Sequence, residues 1–154
     1  MTGLAVNLSA SSLQDLAFRG ELRDLLRQNA QAARRLWLEV AEGGALKHFD
    51  AFRDLCKELK RSGCKVGIEH FGRQFSQVGQ LHDLGLDYIK VDASFVRGLD
   101  ANPGNQAFLK GLCSIVHGIG IQAIAEGVVS EAEMQALADV GFDGATGPVG
   151  KDPA

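Results

Sequence analysis

What this sequence does not contain narrows its function before any motif is considered. It has only three cysteines, Cys56, Cys64 and Cys113, and none falls in a CxxC or other metal-type spacing. Neither a disulfide framework nor a zinc cluster is expected, and the thiols read as reduced, buried bystanders. Basic charge is not in excess: 16 Lys and Arg stand against 19 Asp and Glu, a net charge of -3. That balance offers no general attraction for DNA, RNA or an anionic membrane surface. No uninterrupted apolar run approaches the roughly 18 residues of a membrane span. Met1-Thr2-Gly3 leads into a strand-like segment and not into a charged, apolar signal. The segment is therefore expected to be soluble, without direct membrane contact, and it has no low-complexity tract or linker.

What is present suits one domain: 154 residues, 45% hydrophobic and 23% charged, enough for a single core. Leu4-Ala5-Val6-Asn7-Leu8 reads as a strand, followed by cap chemistry at Ser9 to Ser12. Leucines at helical spacing predict a helix over about 18–36. Leu36 to Val40 is a second strand, and Gly43-Gly44 is expected to break the chain before a helix over about 45–61, which ends at Ser62-Gly63. Cys64 to Glu69 is a third strand, 77–84 a short helix, and Asp87 to Asp92 a fourth strand. A turn at Asn102-Pro103-Gly104 precedes a helix over about 105–117. Ile121 to Glu126 is a fifth strand. Ser130 and Glu133 form a capping box for another helix, Gly141 to Ala145 is a weak sixth strand, and Thr146 to Ala154 is expected to be irregular. Strand and helix alternate at intervals of roughly 20 to 35 residues, the pattern of parallel βα units. His48, His82 and His117 show no partner pattern and read as surface or packing residues.

Five strands end on a polar residue: Asn7, Glu39, Glu69, Asp92 and Glu126. In a parallel sheet the carboxyl ends share one side, so these side chains are expected to converge. Converging carboxylates repel unless a cation offsets them, and Lys90 stands among them. On their own, Lys90 and Asp92 read equally as a solvated ion pair at a strand end. Together with the other four strand ends they read as a site whose amide and carboxylate oxygens suit Mg²⁺ or Mn²⁺. Such a site supports attack of water on a phosphate ester. Length alone favours an open sheet over a closed barrel of eight units. The lack of a glycine-rich loop after the first strand argues against a dinucleotide fold.

The segments Asn7-Leu8-Ser9, the Glu39 strand, Glu69-His70-Phe71-Gly72, Asp87-Tyr88-Ile89-Lys90-Val91-Asp92-Ala93-Ser94-Phe95-Val96 and Ala125-Glu126-Gly127-Val128 together resemble the EAL domain family, the cyclic-di-GMP phosphodiesterases and their degenerate relatives. The resemblance implies an α/β fold of the modified (β/α)8 TIM-type barrel, here an incomplete part with about six βα units. Residues 1–154 then correspond to a partial EAL domain lacking the N-terminal part with the Glu-Ala-Leu segment. It implies Asn7, Glu39 and Glu69 as metal ligands, Lys90 as the water-positioning lysine, Glu126 as a carboxylate near the metals, and Asp92 as the acid that follows the lysine. The family has two adjacent aspartates where this chain has Glu69-His70. Its small polar loop is replaced by Gly72-Arg73-Gln74-Phe75-Ser76-Gln77, its late Gln-Gly-Tyr by Thr146-Gly147-Pro148, and a glutamate by Val129.

These departures imply a degenerate domain of the LapD type. In that reading Asn7, Glu39, Glu69, Lys90, Asp92 and Glu126 bind cyclic-di-GMP with no required cofactor and no functional catalytic residue; an active form would use Mg or Mn. The same resemblance implies the cytoplasmic part of a bacterial inner-membrane protein controlling biofilm or adhesion. Phe75 and Arg73 are expected at a homodimer or interdomain contact with GGDEF or HAMP regions.

Overall fold

The computed structural model describes residues 3–148. Six strands in chain order alternate with helices, an α/β fold. The described residues group into two units, 3–69 with 74–87 and 70–73 with 88–148.

In the first unit, β1 (Leu4–Leu8) leads into α1 (Ala10–Leu13), whose start is capped by Ser9. Two helices, α2 (Leu16–Gln28) and α3 (Ala30–Ala33), replace the single helix expected over 18–36. The division falls at Asn29, whose backbone leaves the helical region and whose side-chain amide donates to the Leu25 carbonyl at 2.8 Å, a local competition that asparagine offers the helix. After β2 (Leu36–Ala41), Gly43-Gly44 does not break the chain but lies inside α4 (Glu42–Lys47). Gly44 is there for close approach, since a Cβ on it would lie 2.7 Å from that of Ala10.

The apolar stripe of α5 (Phe49–Arg61) buries Phe52, Leu55, Cys56 and Leu59. It packs against the 3₁₀ segment Phe75–Leu84. With Leu13, Ile68 and Leu81, all at most 1% exposed, these side chains form the unit's core, each contributing about 1.5–3 kcal/mol by burial. β1 and β2 pair in parallel with Asn7 opposite Glu39, and β2 pairs with β3 (Lys65–Phe71) with Ala41 opposite Glu69. β1 is exposed along most of its length, Leu4 by 60%.

In the second unit, β4 (Tyr88–Val91) stops one residue short of Asp92, which instead caps α6 (Ala93–Val96). A 3₁₀ turn, Leu99–Ala101, precedes α7 (Pro103–Gly118). That helix begins at Pro103 because proline suits the first helical position and Asn102 caps the amide of Asn105 at 3.0 Å. β5 (Gln122–Ala125), α8 (Glu131–Val140) and β6 (Gly144–Ala145) complete the unit, with β4–β5 and β5–β6 parallel. Leu99, Leu109, Leu112, Val116 and Ala123 are fully buried. Thr146 to Pro148 are irregular, as expected, and Val149 to Ala154 lie outside the described residues. Among the described residues no helix is long and apolar enough to cross a membrane.

One connection recurs. Asp87 takes the Lys60 ammonium at 2.7 Å and the Val66 amide at 2.8 Å, while its own amide returns to the Val66 carbonyl. In the second unit Asp143 takes His117 Nε2 at 2.6 Å and the Ala123 amide at 2.8 Å, and its amide returns to the Ala123 carbonyl. His117 is thus a specific partner of Asp143 and not a bystander. The sequence hint was the repeated Gly-apolar-Asp at 85–87 and 141–143.

Candidate functional site

In the first unit, register places the candidate residues. Asn7 and Glu39 are direct cross-strand neighbours, and Glu39 stands opposite Gly67. Glu69 lies two residues beyond Gly67, so it points to the same sheet face, about 6.6 Å further along. Glu39 is buried and Asn7 exposed. An amide oxygen and two carboxylates lie on one face, donor types of the kind that suit Mg²⁺ or Mn²⁺. Glu42, which sequence reasoning missed, is buried just past β2 and accepts the Gln74 amide at 3.1 Å. It fixes the entrance to the segment carrying Phe75, itself half-buried; Arg73, which belongs to the second unit, is exposed.

In the second unit, Lys90 is opposite Ile124. Asp92 and Glu126 stand immediately past the ends of β4 and β5. The Lys90 ammonium is 5.9 Å from the Tyr88 ring centroid, within cation–π range. His70 completes this group. Its Nδ1 is 3.0 Å from Asp92 Oδ1 and 3.2 Å from Glu126 Oε1, and its amide donates to Glu126 Oε1 at 3.0 Å. With φ of 54°, it is the one non-glycine residue in the left-handed region among those described, a conformation that histidine tolerates better than most residues.

The other oxygen of Asp92 accepts the Ser94 hydroxyl at 2.5 Å and the Ser94 amide at 3.0 Å, which leaves Oδ1 turned to the imidazole. The Ser94 hydroxyl is the main reason the Asp92 carboxyl sits below its ordinary pKa. Burial opposes the shift, and the Ser94 amide and His70 add to it. This second group mixes imidazole with carboxylates, and its histidine already engages both acids.

The loop that follows Glu126 is held from behind. Arg97 Nη1 donates to the Gly127 carbonyl at 2.9 Å. Buried Glu133 accepts the amides of Gly98 and Val129, each at 2.9 Å. Ser130 caps the Glu133 amide as the capping box predicts, but the glutamate reaches back to Val129 and across to Gly98. That cross-link had no signal in the sequence beyond the box itself.

The sequence pattern of the EAL domain family matches residues 1–151. The cyclic di-GMP phosphodiesterase PdeA of Borreliella burgdorferi is 27% identical over 139 residues, 90% of this chain and 21% of that protein. Several solved structures share the fold. The FimX EAL domain from Pseudomonas aeruginosa bound to c-di-GMP is 28% identical with a TM-score of 0.86, over 94% of this chain and 60% of that one. Klebsiella pneumoniae BlrP1 in a manganese and cyclic-di-GMP complex is 32% identical with a TM-score of 0.83, over 96% and 38%. Vibrio cholerae LapD, at 21% identity and a TM-score of 0.88 over 97% and 36%, is alike in fold. The chain spans about a fifth of the length of the curated relatives it matches and under two thirds of the FimX chain.

Proposed function

The chain belongs to the EAL domain family, and on that premise we propose that it binds cyclic-di-GMP as a receptor without hydrolysing it. The observation that carries this reading is His70. Where the family pattern has the second of two aspartates, this chain has an imidazole lying 3.0 and 3.2 Å from the carboxylates of Asp92 and Glu126. A bound Mg²⁺ or Mn²⁺ would supply a polarised water and charge neutralisation at the phosphate, and a second ion is needed to steady both oxygens of the displacement. His70 removes one hard oxygen donor and engages two others. Binding requires less: in the second unit Lys90 offers a cation to a phosphate, in the first the Asn7 amide offers a donor, and the carboxylates of Glu39 and Glu69 accept from hydroxyl and base N–H groups of the ligand.

In this reading Phe75 and Arg73 serve a homodimer or an interdomain contact with GGDEF or HAMP regions, and the parent is an inner-membrane protein whose cytoplasmic part controls adhesion. The second reading is an active metal-dependent phosphodiesterase giving the linear dinucleotide. It is favoured by the hard-oxygen set of Asn7, Glu39 and Glu69 and by a relative named as a phosphodiesterase. Incubation of the intact protein with cyclic-di-GMP and Mg²⁺ or Mn²⁺ separates the two, since sustained release of linear product overturns the receptor reading. Calorimetry in chelator is expected to show binding, and Glu126→Lys to abolish it. No heat with the parent protein at high micromolar ligand would leave a protein-interaction domain instead.

A further inference from the structure

One cationic surface of the first unit lies away from Glu39 and Glu69. A cleft of about 370 Å³ opens where the ends of α2 and α3 face the end of α5, and Arg23, Arg27, Arg34, Lys60, Arg61 and Glu58 supply its charge. Two of these are committed elsewhere: Glu58 holds Arg19 at 2.9 Å and Lys60 holds Asp87 at 2.7 Å. Arg23 meets only Asp24, at 3.7 Å and with both side chains exposed, a contact of little energetic weight. Among the described residues Arg27, Arg34 and Arg61 have no carboxylate within 4.0 Å. Three guanidiniums without a carboxylate partner, and a fourth paired only with exposed Asp24, therefore line one cleft in a chain whose net charge is -3. The carboxyl ends of α2 and α5 each contribute about half a negative charge, which leaves a surplus of about two to three positive charges.

The arms are partly set in place. Arg34 crosses directly over Gly63, which has φ of 90°, and a Cβ there would lie 3.2 Å from Arg34 Cγ. The missing side chain lets the arginine stem lie against the backbone at the cleft wall. The lining holds no aromatic residue, and its apolar members are Leu26 and Ala30, so the cleft is built for charge and not for a flat apolar ligand. Its volume falls at the small end of ligand sites.

We propose that this cleft binds a compact multivalent phosphate, a di- or triphosphate group either free or carried on a nucleoside. Guanidinium forks match phosphate oxygens in paired hydrogen bonds, and three to four of them suit a chain of two or three phosphates. Arg34 and Ser62-Gly63 precede β2 and β3, whereas Glu39 and Glu69 stand toward the other ends of those strands. The site is therefore separate from the carboxylate set by about the length of a strand.

The test is titration calorimetry of the intact protein with inorganic triphosphate, against sodium sulfate at matched ionic strength. Triphosphate is expected to bind at least about tenfold more tightly than sulfate, and Arg27→Glu with Arg61→Glu to weaken it at least about tenfold. Both positions are exposed, so the fold should be retained; Arg34→Ala gives an independent variant, and circular dichroism reports folding of each. A nucleoside triphosphate that binds equally well supports recognition of the phosphates alone, and tighter binding supports it with added contacts to the nucleoside. Affinity no better than sulfate, or unchanged in the folded variants, overturns the proposal. So does displacement of triphosphate by saturating cyclic-di-GMP, which would put it in the other site.

Discussion

Replacing Glu133 with alanine removes a buried carboxylate that accepts two backbone amides, those of Val129 and Gly98, each at 2.9 Å. Each such charge-assisted bond contributes about 1.5–3 kcal/mol; the carboxylate is buried but Gly98 and Val129 are exposed, so water recovers part of what the orphaned amides lose. Because the two bonds share one carboxylate, we expect a loss of about 3 kcal/mol at neutral pH, and about half as much for Glu133→Gln, which keeps one acceptor oxygen. The effect has a defined pH dependence. Burial pushes the Glu133 carboxyl up, but the amides of Val129 and Gly98, followed by Arg97 and Ser130, outweigh it and hold the pKa below the ordinary value of 4.5.

A carboxylate depressed on folding stabilises fully above its unfolded pKa, and that contribution is lost as pH falls through the folded value. The gap in stability between parent and Glu133→Gln must therefore narrow on acidification below about 4.5. Urea unfolding followed by circular dichroism at several pH values measures the gap, and hydrogen exchange at Gly98 and Val129 locates it. A loss below about 1 kcal/mol for the alanine variant, or a gap to the glutamine variant that does not change with pH, refutes the reasoning.

Two further outcomes follow from the same structure. All three thiols are buried, and burial, the leading cause in each case, raises Cys56 to about 12, Cys113 to about 11, and Cys64 above its ordinary value. The native protein should therefore give no reaction with a disulfide reagent at pH 8 over minutes, and three equivalents in denaturant. Gly127→Ala forces a left-handed residue at φ of 72° and sets its Cβ 2.6 Å from that of Ala93. Strain and overlap together should cost about 2–4 kcal/mol, seen as a lowered melting temperature, and the displaced neighbour Glu126 should weaken cyclic-di-GMP binding in calorimetry.

Much of this was legible because the parallel fold ties function to a repeating position. Polar residues at strand ends are visible in the sequence, and register then puts Asn7 beside Glu39 and Glu69 on their face. Features that depend on a specific neighbour were not legible. Gly43-Gly44 reads as a break until Ala10 is seen against Gly44, and Asp92 reads as a strand residue until Ser94 turns it into a cap. His70 is an odd substitution in the sequence, and only its left-handed backbone and its position between two acids give it chemical content. Glu42 and Glu133 are ordinary helix-start acids in the sequence. What singles them out is the backbone amide each accepts from a distant loop.

The recurring aspartate connection has a bearing on how the chain reaches this structure. Asp87 closes onto partners 21 and 27 residues earlier, and Asp143 onto partners 20 and 26 residues earlier. Closing a segment of that length costs little more than closing one half as long. Each strand–helix–strand segment can lock its own ends as soon as its aspartate is available, without waiting for distant sequence. Assembly is thus divided into short-range steps that suit rapid folding and proceed in the order in which the chain is synthesised.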